Sequence, residues 1–95
     1  MTMRERETIM QAIRMERIRQ DYKWGTKFGL RLDERWLTIL VEEVGEVAEA
    51  ILRDDDEDIV KELIQVAAVC VSWLELRTKR MDQDHEVLHE ISRTE

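Results

Sequence analysis

From Ile59 to Leu76 apolar residues fall on nearly every face of a helix: Ile59, Val60, Leu63 and Ile64, then Val66 to Val71 without a break, then Trp73, Leu74 and Leu76. A helix that is apolar all round is buried on all sides. The chain has 95 residues, enough for one small domain, residues 1–95, whose other helices hardly cover such an element. The expectation is an all-α bundle of three to four helices, completed by oligomerisation. Each further side chain buried against a partner contributes about 1.5–3 kcal/mol. Strand-rich folds fit poorly, because no proline and only three glycines (Gly25, Gly29, Gly45) are available to make tight turns.

Periodicity places the other elements. A first helix is predicted over residues 3–22, where Ile9, Ala12, Ile13 and Ile18 recur among Arg and Glu. Lys23 to Leu32 (KWGTKFGLRL) breaks the pattern and reads as a loop. Asp33 is the predicted N-cap of a second helix reaching about Arg53. On it Trp36, Leu40, Val44, Val47 and Ile51 form an apolar stripe, with Glu42, Glu43, Glu46 and Glu49 on the opposite arc. Gly45 falls mid-helix, where close approach of another helix or room for a substrate would explain it. The acidic connector Arg53–Glu57 suits the N-terminus of a third helix, residues 56–79, through the macrodipole. A short final helix is expected over residues 82–92.

The net charge of −7 argues against binding a nucleic-acid polymer, whose phosphates an acidic surface repels. A mononucleotide is different, because a divalent cation can offset carboxylates and phosphates together. Cys70 is the only cysteine, so no intramolecular disulfide forms, which fits a reducing, cytoplasmic setting. The charged N-terminal segment does not read as a secretory signal, and the longest apolar run, Val66 to Val71, is too short to cross a membrane.

The residues that point to chemistry are Glu43 and Glu46, three apart on helix two, and Glu62 and Gln65, three apart on helix three. That spacing puts each pair on one side of its helix, with Asp58 on the same side as Glu62. If the two helices are antiparallel neighbours, the sets converge. Clustered carboxylates repel by about 1 kcal/mol per close pair in water and about 4 near a protein surface. Such a cluster wants a hard cation, and oxygen ligands select magnesium or manganese. Glutamate-rich helix faces are, however, most often solvated surface, so spacing alone does not make a site.

The stretch Leu40 to Glu75, LVEEVGEVAEAILRDDDEDIVKELIQVAAVCVSWLE, resembles the core of the MazG-like, all-α nucleotide pyrophosphohydrolases, whose signature is ExxE on one helix and ExxD on the next. The resemblance implies hydrolysis of a nucleoside triphosphate, or a related nucleotide, to monophosphate and pyrophosphate with Mg2+, or Mn2+, by a homodimer or homotetramer. By position, Glu43 and Glu46 match the ExxE ligands and Glu62 opens ExxD. Gln65 stands where the commonest pattern has aspartate: its carbonyl can ligate magnesium without adding charge, and Asp58 is a further candidate ligand. Glu42 is a candidate to orient a ligand or activate water alongside Glu43. Lys23, Lys27, Arg31 and Lys61 are candidates to hold phosphate, and Trp24 to stack on a base. Trp36 and Trp73 are read as core. The alternative is a helical interaction module of the same fold without turnover.

His85-Glu86-Val87-Leu88-His89 also spells the zinc motif HExxH. With no predicted strand to seat a peptide, it reads as a surface helix carrying two histidines.

Overall fold

The computed structural model describes residues 1–24, 32–80 and 89–93, with Trp24 and Arg80 described by backbone alone. The described residues form helices and no strand: α1 (Met3–Trp24), α2 (Asp33–Leu52) and α3 (Asp56–Arg80), and a helical stretch over residues 89–93, α4. None of these helices is long and apolar enough to cross a membrane. Of the expected final helix, residues 82–88 lie outside the described residues, as does His85; His89 is exposed.

The α2–α3 turn is built from short-range hydrogen bonds. Asp54 adopts a left-handed backbone conformation, φ 55°. Its N–H reaches the carbonyl of Ile51 at 3.0 Å, and that of Asp55 reaches Ala50 at 3.1 Å. This pair of bonds is a Schellman closure, in which aspartate takes the place glycine usually holds. Asp55 then starts α3, its Oδ1 accepting the N–H of Asp58 at 3.1 Å. With no residue to spare in the turn, α3 folds back along α2.

The two helices are fastened at both ends. Far from the turn, Asp33 Oδ1 accepts a hydrogen bond from Trp73 Nε1 at 2.7 Å, and Arg77 reaches Asp33 Oδ2 at 3.5 Å. Asp33 is therefore not the helix cap expected from its position. Leu32 holds the N-cap place without a side-chain bond, and the Asp33 carboxylate bridges to α3 instead. Between the ends, Trp36 and Val69, each 1% exposed, form the core with Ile39, Leu40, Trp73 and Leu76 around them. Ala50 and Ala68 are fully buried.

Helix α3 lies at the centre, with α1 and α2 both packed on it. Polar contacts hold α1: Arg17 Nη2 donates to Glu75 Oε2 at 2.8 Å and Ser72 Oγ to Gln20 Oε1 at 3.5 Å. Its apolar residues Ile9, Met10, Met15 and Ile18 are exposed.

The predicted stripe on α2 is divided. Trp36, Leu40 and Val47 face α3 or its margin, together with Glu43 and Ala50, while Val44 and Ile51 are exposed with Leu37 and Val41. Apolar periodicity alone places all the glutamates away from the packed face. In fact Glu43 lies within it, because a set of apolar residues is directed outward. On α3, Val60, Leu63 and Leu74 are exposed too, so burial on every side is not achieved within one chain. Of the two expectations at Gly45, close approach of another helix is not met among the described residues, where an added Cβ meets no atom within 4 Å, and open space on that face is what is found.

Candidate metal centre

Antiparallel packing of α2 on α3 brings together the two acidic pairs. Glu43, Glu46 and Glu62 each offer a carboxylate oxygen, and these atoms lie within 4.8 Å of one another. Glu62 is 8% exposed, Glu43 is half-buried and Glu46 is exposed. The cluster thus opens to solvent on the α2 side and is closed at its α3 base. Among the described residues, no Lys or Arg forms a salt bridge with any of the three.

The electrostatic consequence is strongest at the buried end. Burial, hydrogen bonding to Glu46 and the charges of Glu46, Glu43 and Asp58 push the Glu62 carboxyl up from 4.5 to about 7. Glu43 is also raised, first by burial and then by the charges of Glu46, Glu16 and Glu42. Both shifts have one sense: this pocket resists holding its full negative charge without a cation.

Gln65, one turn along α3 from Glu62, belongs to the same cluster. Ionised carboxylates only accept hydrogen bonds, so the amide nitrogen faces them. In that orientation Nε2 donates to Glu43 Oε2 at 3.0 Å and to Glu62 Oε2 at 3.0 Å. Turned this way, Gln65 meets the acids with its nitrogen; its carbonyl in the same place would set an acceptor against acceptors while no cation lies between them. Asp58 stands close enough to influence Glu62, but its carboxylate is engaged by Arg53 and it is not one of the converging three. Glu42 is exposed at the rim.

Of the residues read as phosphate ligands, Lys61 is exposed beside Glu62 on α3, and Lys23 is exposed in the last turn of α1. Lys27 and Arg31 lie outside the described residues, and so does the side chain of Trp24. Helix α1 supplies neighbours that the sequence did not single out. Glu16 holds Arg19 through bonds of 2.9 and 2.7 Å and its charge acts on Glu43; the Arg19 guanidinium feels Glu43 as well. The only sequence signal was the i, i+3 spacing of Glu16 and Arg19, one of many such pairs in a chain so rich in charge.

Further along the α2–α3 pair lies an apolar groove of about 410 Å³, lined by Asp33, Leu40, Cys70, Trp73, Leu74 and Arg77. It begins one helical turn before Glu43, at Leu40.

Comparison with known proteins bears on what this cluster is. No curated protein and no solved structure matches the chain. The family model described as the MazG nucleotide pyrophosphohydrolase domain matches residues 32–93, more than half of the chain, and takes in all three converging glutamates. With a triad of carboxylates across an antiparallel helix pair and that match around it, the chain belongs to the MazG nucleotide pyrophosphohydrolase domain family.

Proposed function

We propose that this chain is a magnesium-dependent nucleoside triphosphate pyrophosphohydrolase, converting a (deoxy)nucleoside triphosphate and water into the monophosphate and pyrophosphate. One observation carries the reading: three carboxylates from two helices meet within 4.8 Å with no described cation bridging them. An all-oxygen donor set suits Mg2+, or Mn2+, better than zinc. Burial, and then the neighbouring carboxylates, raise the Glu62 and Glu43 carboxyls, a cost that a bound cation would relieve. The residues fit the ion.

Glu43, Glu46 and Glu62 are the proposed ligands, with Gln65 and Asp58 beside them. The ion, when bound, supplies charge neutralisation and polarisation of the phosphate chain. Glu42 lies outside the triad at its rim, and is assigned the role of accepting a proton from the attacking water at its carboxylate. Exposed Lys61 and Lys23 are suited to phosphate oxygens, as is Arg19, which Glu16 holds in place near Glu43. Lys27 and Trp24 keep their proposed phosphate and base contacts on sequence position alone.

The exposed stripe of Leu37, Val41, Val44 and Ile51 on α2 supports a homodimer or homotetramer in which that face is covered. The second reading, a helical module without turnover, is favoured by Gln65, whose amide already satisfies two of the acids.

A panel of ribo- and deoxyribonucleoside triphosphates incubated with the protein and Mg2+, with products separated by ion-exchange chromatography, decides between the two. Monophosphate and pyrophosphate in equal amounts are expected, with turnover reduced at least about 100-fold in Glu43→Gln. Orthophosphate as the product refutes the pyrophosphohydrolase chemistry, and a folded protein that hydrolyses nothing refutes the enzyme reading.

A further inference from the structure

Glu43, Glu46 and Glu62 converge across two helices although all three carry the same sign of charge when ionised. No described Lys or Arg forms a salt bridge with them, and like charges this close repel. Burial adds to the difficulty, since Glu62 is 8% exposed. A neutral donor that reaches carboxylates on both helices would help to hold the cluster together.

Gln65 meets that need. A primary amide has two N–H donors on one nitrogen. With the amide turned so that its nitrogen faces the acids, one points to Glu43 Oε2 on α2 and the other to Glu62 Oε2 on α3, both at 3.0 Å. Hydrogen bonds to ionised acceptors are the stronger class, and these two are shielded in a half-buried site. An aspartate or glutamate at position 65 would add a further acceptor and negative charge, and ionised it could donate nothing.

We propose that Gln65 is a positioning residue that acts through its amide nitrogen, a neutral brace that ties Glu43 of α2 to Glu62 of α3 and so keeps the carboxylates converged. This deepens the metal-site reading above and rests on it: the brace shapes the donor set from outside, and Gln65 is not itself a ligand through its carbonyl. Residues that orient ligands in this way commonly change metal affinity by about tenfold or more when removed.

A double-mutant cycle in EDTA tests the brace. The parent, Gln65→Met, Glu43→Met and the double variant are compared by thermal unfolding; methionine keeps the length of both side chains but neither donates nor accepts strongly. Gln65→Met alone is expected to lower Tm by about 5–10 °C. In the Glu43→Met background the same change should lower it by less than half as much, because one of the two acceptors has gone. Equal losses in both backgrounds mean that Gln65 only fills space, and no loss in either means that it acts purely as a ligand; each overturns the brace. If Gln65→Met does not fold, exchange of the Gln65 side-chain amide protons in the parent, followed by NMR, decides the matter. Protected protons support the brace, and protons exchanging as fast as those of a free glutamine overturn it. Mn2+ titration of the parent reports separately on the metal reading. A parent that binds no Mn2+ sinks that reading even where the cycle shows coupling, whereas an additive cycle sinks the brace even where Mn2+ binds.

Discussion

Replacing Glu62 by glutamine is expected to stabilise the protein in EDTA at pH 8 while removing its metal chemistry. The side chain keeps its length and its ability to accept from Gln65, but it no longer has to ionise in a buried site. The carboxyl is pushed from its ordinary 4.5 to about 7, first by burial and then by Glu46, Glu43 and Asp58, so the ionised form carries a free-energy cost that it shares with those neighbours and that solvent screens in part. The sign follows from linkage. Because the folded value lies above the unfolded one, the folded protein holds the extra proton between about pH 4.5 and 7. The stability this confers is fully present below 4.5 and is lost as pH rises through 7. Without divalent ions the parent should therefore weaken from pH 5 to pH 8. Glu43, also raised, contributes in the same direction. Glu62→Gln should flatten most of that slope. For a domain of this size about 4–8 °C accompany each kcal/mol, so if about 1 kcal/mol of the cost is left after screening the variant should melt about 4–8 °C above the parent at pH 8 and close to it at pH 5. Thermal unfolding by circular dichroism at the two pH values is the assay. A variant that melts below the parent at pH 8 refutes the claim that ionised Glu62 is a destabilising presence.

Three further outcomes follow from the packing. Gly45→Ala, at a helical position where a Cβ meets no described atom, should raise stability by up to about 1 kcal/mol in urea unfolding; a loss instead reveals a neighbour packed on that face. Trp36→Ala, at the centre of the core, should cost about 3–5 kcal/mol, read as a fall in the urea midpoint. Val44→Glu, on the exposed α2 stripe, should shift the sedimentation profile toward a single chain if that face is covered by another copy, leaving helicity intact; an unchanged profile argues that the stripe is not the interface.

The helices were legible because their signals are local. Asp33–Leu52 and Asp56–Arg80 lie within a residue or so of the spans that periodicity gives, and α1 runs two residues past its expected end to Trp24. The acidic triad was legible too, since i, i+3 spacing on two helices joined by a short turn leaves little choice of how they meet. What stayed hidden depends on contacts far apart in sequence. Asp33 looks like a cap until Trp73, forty residues on, claims its carboxylate. Periodicity identifies an apolar stripe but not which neighbour it serves, so it groups Val44 and Ile51 with the core although they face outward. Nothing in the spelling of Gln65 tells which end of its amide meets the acids; that depends on two acceptors converging from different helices. Arg19 and Glu16 reach the site only through the packing of α1, which no local pattern encodes.

Manganese titration of the purified chain, followed by loss of the free-ion EPR signal, counts the cations that Glu43, Glu46 and Glu62 hold between them. At least one ion bound per chain, with affinity reduced at least about tenfold in Glu46→Gln and in Glu62→Gln, is the predicted result. Binding indifferent to both substitutions, or a folded protein that takes up no manganese, contradicts the convergence of α2 and α3 on a shared cation.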